Sequence, residues 1–278
     1  MNYVLYHSNC PDGFGAAFAM WLGFGNSDGV YKAVSYGKPF PEDIKKLLTE
    51  DDRVYIVDFS YPTDVLKEIN TICPTIILDH HAGAEEQLKN SGCQYVFDNN
   101  RSGAVIAFDW VAAQKLYSSS NRLFFEYVQD RDLWLWKMPS SKALSAWLMS
   151  FPYDFSIWYN LLLMFFNNRG TCISEGEAIL RFKAKELSMI CDGAYKAKLD
   201  DLDVVAVNAT SQWSEVGEEL LKRYPNENIA VSYWKRNDNV YQFSIRTRSG
   251  TNAIDIAKKF GGGGHAQAAG FTSDKNIL

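Results

Sequence analysis

The chain has 278 residues, 47% of them hydrophobic and 22% charged, a balance that excludes a disordered or fibrous protein. That length exceeds what one core usually holds, so two domains are expected. Lys and Arg number 28 against 33 Asp and Glu, a net charge of −5, which argues against a protein that coats long duplex DNA but not against one that takes a short nucleotide into a local pocket. The longest apolar stretch, 157–166, is interrupted by Asn160 and is too short to span a bilayer, so no membrane association is expected. The chain opens directly on the strand-like Tyr3-Val4-Leu5-Tyr6 without a signal-peptide pattern, and a cytoplasmic location is expected. Five widely spaced cysteines with no CxxC pair form neither a zinc finger nor a disulfide framework.

The first hundred residues alternate β-rich runs with amphipathic stretches, the pattern of βαβ units around a mostly parallel sheet. Strands are expected at 3–6, 30–34, 54–57, 75–78 and 94–97, with helices near 13–24, 41–50 and 62–70. From 102 to 190 the pattern turns helical: 102–116, 122–128, an aromatic region at 147–166 taken as helix on the sheet, and a long connector at 175–192. A second, smaller α/β segment follows, with strands at 204–208, 229–234 and 240–246, a hairpin around Asn237-Asp238-Asn239, and helices at 215–224 and 253–260. The expected division is 1–190 and 195–278.

Three strands of the first segment end in the same chemistry. The run 3–6 leads into His7 and Asp12, 54–57 into Asp58, and 75–78 into Asp79-His80-His81. In an open parallel sheet, groups just past the carboxyl ends of the strands converge on one crevice. Crowded carboxylates repel unless a cation sits among them. Oxygen and imidazole donors without a thiolate cluster favour Mn²⁺, with Mg²⁺ as the alternative. Two ions sharing an Asp and activating hydroxide is an arrangement used for phosphoester hydrolysis. A fourth contribution is expected from Tyr127-Val128-Gln129-Asp130-Arg131-Asp132, where one acid binds metal while the other pairs with Arg131.

In the last block, GGGGHAQAAG, consecutive glycines permit backbone conformations closed to other residues, their amides can form an anion-binding concavity, and His265 adds a donor. Arg246 and Arg248, two apart on a strand, share a face and can grip phosphate. Ser102 at a helix start, with Arg101, is a further candidate phosphate contact.

The Asp79-His80-His81 triplet, joined to HSNCPDGFGAA (7–17) and FGGGGHAQAAGF (260–271), resembles the DHH phosphoesterase superfamily over nearly the whole chain. The similarity is to the branch with the DHH-associated C-terminal domain, which includes nano-RNases, pAp phosphatases and cyclic-dinucleotide phosphodiesterases. The resemblance implies metal ligation by His7, Asp12, Asp58, His80 and an acid of the fourth motif, Asp130 in preference to Asp132, with Asp58 bridging two ions. Asp79 would ligate or orient a neighbouring His, and His81 would contact the scissile phosphate. The C-terminal domain, through Arg246, Arg248, Gly262, Gly263, Gly264 and His265, would hold the far end of a substrate lying between the domains. Many members carry Asp-x-Asp in the first motif, where this chain has Cys10-Pro11-Asp12, so Cys10 takes the place of an acid.

The expected activity is metal-dependent hydrolysis of short oligonucleotides to 5′-mononucleotides, of the nano-RNase or 3′-5′ exonuclease kind. Cyclic dinucleotides and pAp are the alternative substrates, and inorganic polyphosphate or pyrophosphate a further one. The rival of a different class is a nucleotide-binding protein whose catalysis has lapsed, with Cys10 as its best support.

Overall fold

Five parallel strands in the order β2-β1-β3-β4-β5 build the sheet of the N-terminal part: β1 (Asn2–His7), β2 (Gly29–Val34), β3 (Arg53–Val57), β4 (Thr75–Asp79) and β5 (Gln94–Phe97). The computed structural model describes residues 1–35 and 37–278. Side chains alternate across the sheet. Val4, Tyr55, Val57, Ile76 and Leu78 face one core, while Tyr3, Leu5, Val54, Ile56 and Ile77 face another. A parallel sheet buried on both faces needs helices on both. The first core is closed by α1 (Pro11–Phe24), and the second by α2 (Glu42–Lys45), α3 (Thr63–Ile72) and α4 (Glu85–Lys89). The expected helix at 41–50 is thus a single turn, which Ile44 pins to the second core.

The helical stretch supplies the rest of the first core through α5 (Gly103–Ala113), α6 (Arg122–Asp132), α7 (Ser141–Leu148) and α8 (Phe155–Asn167). The aromatic region expected as one helix is two, because Pro152 and the Asp154 cap, whose carboxylate accepts the Ile157 amide at 2.9 Å, begin a new helix after α7. Trp158, Phe124, Phe125 and Phe165 fill the space between these helices. Helix α9 (Arg169–Asp192) follows, and chain contacts separate two units within it, Met1–Leu180 and Arg181–Leu278. Among the described residues no helix is long and apolar enough to cross a membrane.

The second unit carries a mixed sheet of six strands, β6 (Tyr195–Leu199), β7 (Leu202–Asn208), β8 (Ile229–Lys235), β9 (Tyr241–Thr247), β10 (Gly263–Gly264) and β11 (Ala268–Ser273), in the order β10-β11-β9-β8-β7-β6. Only β7 and β8 run parallel. Helix α10 (Trp213–Arg223) packs Val216 and Leu220 on one face, and α11 (Ala253–Lys258) packs Ala253, Ile256 and Ala257 on the other. The chain is therefore α/β in both parts, a parallel sheet flanked by helices followed by a smaller α/β sheet, as the patterning implies.

Candidate active site

In a sheet of order 2-1-3-4-5 the connections leave β1 and β3 in opposite directions, and the crevice outside their carboxyl ends is the natural ligand site. Every acidic strand end arrives there. His7 closes β1, and Asp12 lies in the first turn of α1. Asp58 follows β3 with φ 62°, a left-handed backbone that is uncommon outside glycine and is tolerated best by Asp and Asn; its amide is fixed to the Leu78 carbonyl at 2.9 Å. Asp79 ends β4, with His80 and His81 directly after it.

The side chains interlock. His80 Nε2 lies 3.1 Å from Asp58 Oδ1, 3.6 Å from Asp12 Oδ2 and 3.7 Å from Asp132 Oδ2. His7 Nδ1 lies 3.6 Å from Asp58 Oδ2. Asp79 Oδ1 faces His81 Nδ1 at 2.8 Å and accepts the His80 and His81 backbone amides at 2.7 and 3.2 Å, so Asp79 holds the His81 ring directly and the backbone of both histidines. Three groups have donor atoms within 4.8 Å of one another: His7, Cys10 and Asp58; Asp58, His80 and His81; Asp12, His80 and Asp132. Asp58 is shared by the first two groups and His80 by the last two. The side chain of Asp132 is 24% exposed whereas those of Asp12 and Asp58 are closed to solvent, so the cluster has a buried floor and an open side at Asp132.

Electrostatics match a cation site. Burial, together with the Asp132 and Asp58 charges, pushes the Asp12 carboxyl well up. Desolvation and the Asp58 charge push Asp132 up to about 6. Asp58 is opposite: burial would raise it, but the facing imidazoles of His7, His80 and His81 hold it well below the carboxylate range. For His80 and His81 burial is outweighed by the neighbouring carboxylates, Asp58 for the one and Asp79 for the other, and His81 is raised to about 9. Asp58 Oδ2 and Asp79 Oδ2 are buried and accept no hydrogen bond. Buried acceptors normally have partners. Orphan carboxylate oxygens beside imidazoles are the donor set a divalent ion takes.

The geometry gives two of the expected residues other partners. Asp130 is turned away from the cluster: its Oδ1 and Oδ2 accept the Lys137 and Met138 amides at 2.9 and 3.2 Å, and its carbonyl accepts those of Leu135 and Trp136. It anchors a loop in which Trp134 and Trp136 both have positive φ, and Asp132 is the acid of this segment whose carboxylate lies with Asp12 and His80. Arg248 is equally committed, since its guanidinium donates to the carbonyls of Leu221 and Glu227 beyond the end of β9. Arg246 lies on β9 and donates to Ser214 Oγ at 2.7 Å and Ser244 Oγ at 3.3 Å. Arg101 is held by Asp98 and Asp109. Ser102 caps α5 by accepting the Val105 amide, and the N-terminal amides of α5 go to Asp12 rather than to a phosphate.

In the glycine block, a side chain at Gly262 or Gly264 would collide with β11 (Gly270 and Phe271 at the first, Ala268 and Ala269 at the second), so these two glycines let β10 lie against it. Gly263 meets nothing, and His265 is exposed at the tip of a turn closed by its own amide on the Ala268 carbonyl at 2.7 Å. Residue type does not single out Gly103, yet a Cβ there would sit 2.6 Å from Asp58 Cβ, and its amide holds Asp12 at 2.6 Å. Its only signal in the sequence is its place directly after the helix-starting Ser102.

Residues 205–277 match the DHHA1 domain. Over 298 aligned positions the chain is 28% identical to an uncharacterised protein of Acanthamoeba polyphaga mimivirus, covering 100% of this chain and 69% of that one. Among solved structures it is similar to an exopolyphosphatase-related protein from Bacteroides fragilis, at TM-score 0.54 and 13% identity over 99% of this chain and 87% of that one. It is also similar to RecJ from Thermus thermophilus in complex with Mn²⁺, at TM-score 0.56 and 14% identity over 97% of this chain and 49% of that one. Residues 205–277 thus carry a DHHA1 domain, and the chain as a whole shares the fold of these solved proteins.

Proposed function

We propose that this protein is a metal-dependent phosphodiesterase that hydrolyses short oligonucleotides to 5′-mononucleotides. The observation that carries the reading is the convergence of His7, Asp12, Asp58, His80 and Asp132 at the carboxyl ends of β1, β3 and β4 and on α6, with Asp58 and His80 each shared between donor groups. These residues would hold two divalent ions, and Mn²⁺ is favoured by the mixed oxygen and imidazole donors. A divalent ion bound there lowers the pKa of coordinated water and polarises a phosphoryl oxygen.

The protein's own groups do the rest. Asp79 fixes the His81 ring at 2.8 Å and keeps it cationic, so His81 presents a positive donor to a phosphate whose charge grows in the transition state. The α5 N-terminus holds Asp12 in place through two amides, leaving the carboxylate pre-oriented. A lapsed site has no reason to keep this set of oriented donors, which favours an enzyme over a binding protein. His265, with Gly263 and Arg246, is assigned to grip of the substrate away from the reacting phosphate. The DHHA1 domain and the acidic net charge favour a small nucleotide over inorganic polyphosphate.

The test is a panel of dinucleotides, pAp, cyclic dinucleotides and pyrophosphate incubated with the full chain and Mn²⁺. Dinucleotides should turn over fastest and release 5′-mononucleotides. Preference for pAp or a cyclic dinucleotide would move the assignment to those substrates, and no turnover of any of them would overturn it.

A further inference from the structure

The donor groups at the strand ends are not chemically alike. The groups Asp58, His80, His81 and Asp12, His80, Asp132 offer only oxygen and nitrogen, whereas His7, Cys10 and Asp58 add a sulfur. We propose that the position lined by His7, Cys10 and Asp58 is a mixed nitrogen, sulfur and oxygen site for a thiophilic divalent ion of the Zn²⁺ or Co²⁺ class, so that the protein carries two chemically different ions rather than a matched pair. The proposal rests on the two-ion reading given above and adds to it the identity of one ion.

Local structure keeps the thiol available for this. Cys10 stands at the N-cap of α1 in extended conformation, yet its side chain makes no capping bond. An N-cap side chain is normally spent on the second or third amide of its helix. Pro11 at the first helical position and Asn9 at φ 55° fix the backbone on either side, so the residue is held where the turn puts it. The second, independent observation is Asp58 Oδ2. It belongs to a side chain 1% exposed and accepts no hydrogen bond, and it lies 3.6 Å from His7 Nδ1, too far for one. A buried carboxylate oxygen left without a donor beside an imidazole and a sulfur is accounted for by a cation. The other four cysteines sit in apolar cores: Cys73 and Cys93 under the first sheet, Cys172 beneath α8, and Cys191 against α10.

The choice of ion follows from donor softness. Thiolate selects Zn²⁺ and similar borderline ions, while carboxylate and water suit Mn²⁺ and Mg²⁺. Binding of a thiophilic ion deprotonates the thiol, with the proton released to solvent. The Asp12, His80, Asp132 set, lacking sulfur, keeps its preference for the harder ion.

The experiment uses Co²⁺ as a spectroscopic probe on the metal-free full chain. Titration of the wild type should give a sulfur-to-cobalt charge-transfer band in the near ultraviolet that saturates at one Co²⁺ per chain. One equivalent of Zn²⁺ should abolish the band, and an equal amount of Mn²⁺ should leave it. In Cys10→Ser the band should be absent while Co²⁺ still binds with its visible absorption. In Cys10→Asp, equilibrium dialysis against equimolar Zn²⁺ and Mn²⁺ should show the Mn²⁺ to Zn²⁺ ratio risen at least tenfold. Circular dichroism confirms that each variant is folded. Two bound Co²⁺ without a charge-transfer band, or the same band in Cys10→Ser as in the wild type, overturns the sulfur ligand and leaves the two-ion reading standing. No Co²⁺ bound to the wild type overturns both.

Discussion

The Asp12 carboxylate sits on the first turn of α5, with Oδ2 2.6 Å from the Gly103 amide and Oδ1 3.0 Å from that of Ala104. A helix N-terminus whose amides would suit a phosphate is used here to hold a buried carboxylate of the cluster. The same Gly103 lies against Asp58, where an added Cβ would come 2.6 Å from Cβ and 2.7 Å from Oδ1. One glycine therefore sets the positions of two acids that arrive from different strands. Gly103→Ala should displace both. Overpacking of this kind costs roughly 1–3 kcal/mol, and the expected result is a folded protein with Mn²⁺ affinity down at least tenfold by calorimetry. Unchanged affinity would show that the acids do not depend on this contact.

Asp58 is shared between two donor groups, so its loss should cost more than loss of His7 or His80 alone. Asp58→Asn keeps the shape and removes the charge. It should abolish turnover and reduce the number of ions retained after dialysis, with the circular dichroism spectrum intact. Wild-type turnover from a well-folded Asp58→Asn would sink the two-ion assignment.

Asp130 and Asp132 should separate cleanly. Asp130→Ala removes the acceptor of the Lys137 and Met138 amides, a loss of about 0.5–1.5 kcal/mol per hydrogen bond that should appear as a lowered Tm. Asp132→Asn, on the open side, should leave Tm within a degree or two and weaken Mn²⁺ binding instead. Calorimetry and thermal melts on the two variants check this, and the reverse pattern would return Asp130 to the metal.

That pair shows where sequence patterning stops. Two residues apart on a helix point in nearly opposite directions, so only one of these acids can face the strand ends. Which one does is settled by the loop after α6, whose amides capture Asp130, and no local signal in Gln129-Asp130-Arg131-Asp132 carries that information. The five strands of the parallel sheet and the convergence of their ends are legible because the strands are rich in β-branched and aromatic residues and β1, β3 and β4 run into His7, Asp58 and Asp79-His80-His81. β6, Tyr-Lys-Ala-Lys-Leu, is an edge strand whose lysines hide it, while β10 is Gly-Gly and β11 opens on Ala-Ala-Gly, residues depleted in strands. Their pairing depends on the close approach that Gly262 and Gly264 permit, a tertiary fact.

Acid should weaken metal binding. Asp12 and His80 are shifted upward and Asp132 stands at about 6, so protons compete increasingly with a bound ion for these groups as the pH falls. Mn²⁺ affinity should fall steadily from pH 8 to pH 6, with protons released per ion bound when calorimetry is run in buffers of different ionisation enthalpy. The metal-free protein should show a further effect. His81 is raised to about 9 by Asp79, so its contribution to stability is complete below the unfolded value near 6.5 and is lost as pH rises through 9. The Tm difference between wild type and His81→Gln in chelator should therefore shrink between pH 6.5 and 9.5. A constant difference would show that the pair does not stabilise the fold.

The division of labour between the two units rests on His265. It is exposed at the turn between β10 and β11, on a unit that contributes none of the clustered donors, so its assigned role is substrate grip rather than chemistry. Uniform binding energy lost from both ground and transition states raises KM and leaves kcat nearly unchanged. A hydrogen bond to a charged phosphate contributes roughly 1.5–3 kcal/mol, so His265→Ala should raise the KM for a dinucleotide by about ten- to a hundredfold. Mn²⁺ affinity should stay at the wild-type value, because His265 is not one of the clustered donors. Bis-p-nitrophenyl phosphate, which offers a scissile ester but no second nucleotide to hold, should be hydrolysed at close to the wild-type rate. The two substrates together make the comparison decisive: a defect confined to the dinucleotide is what a remote grip produces, whereas an equal loss on both would place His265 in the chemical step.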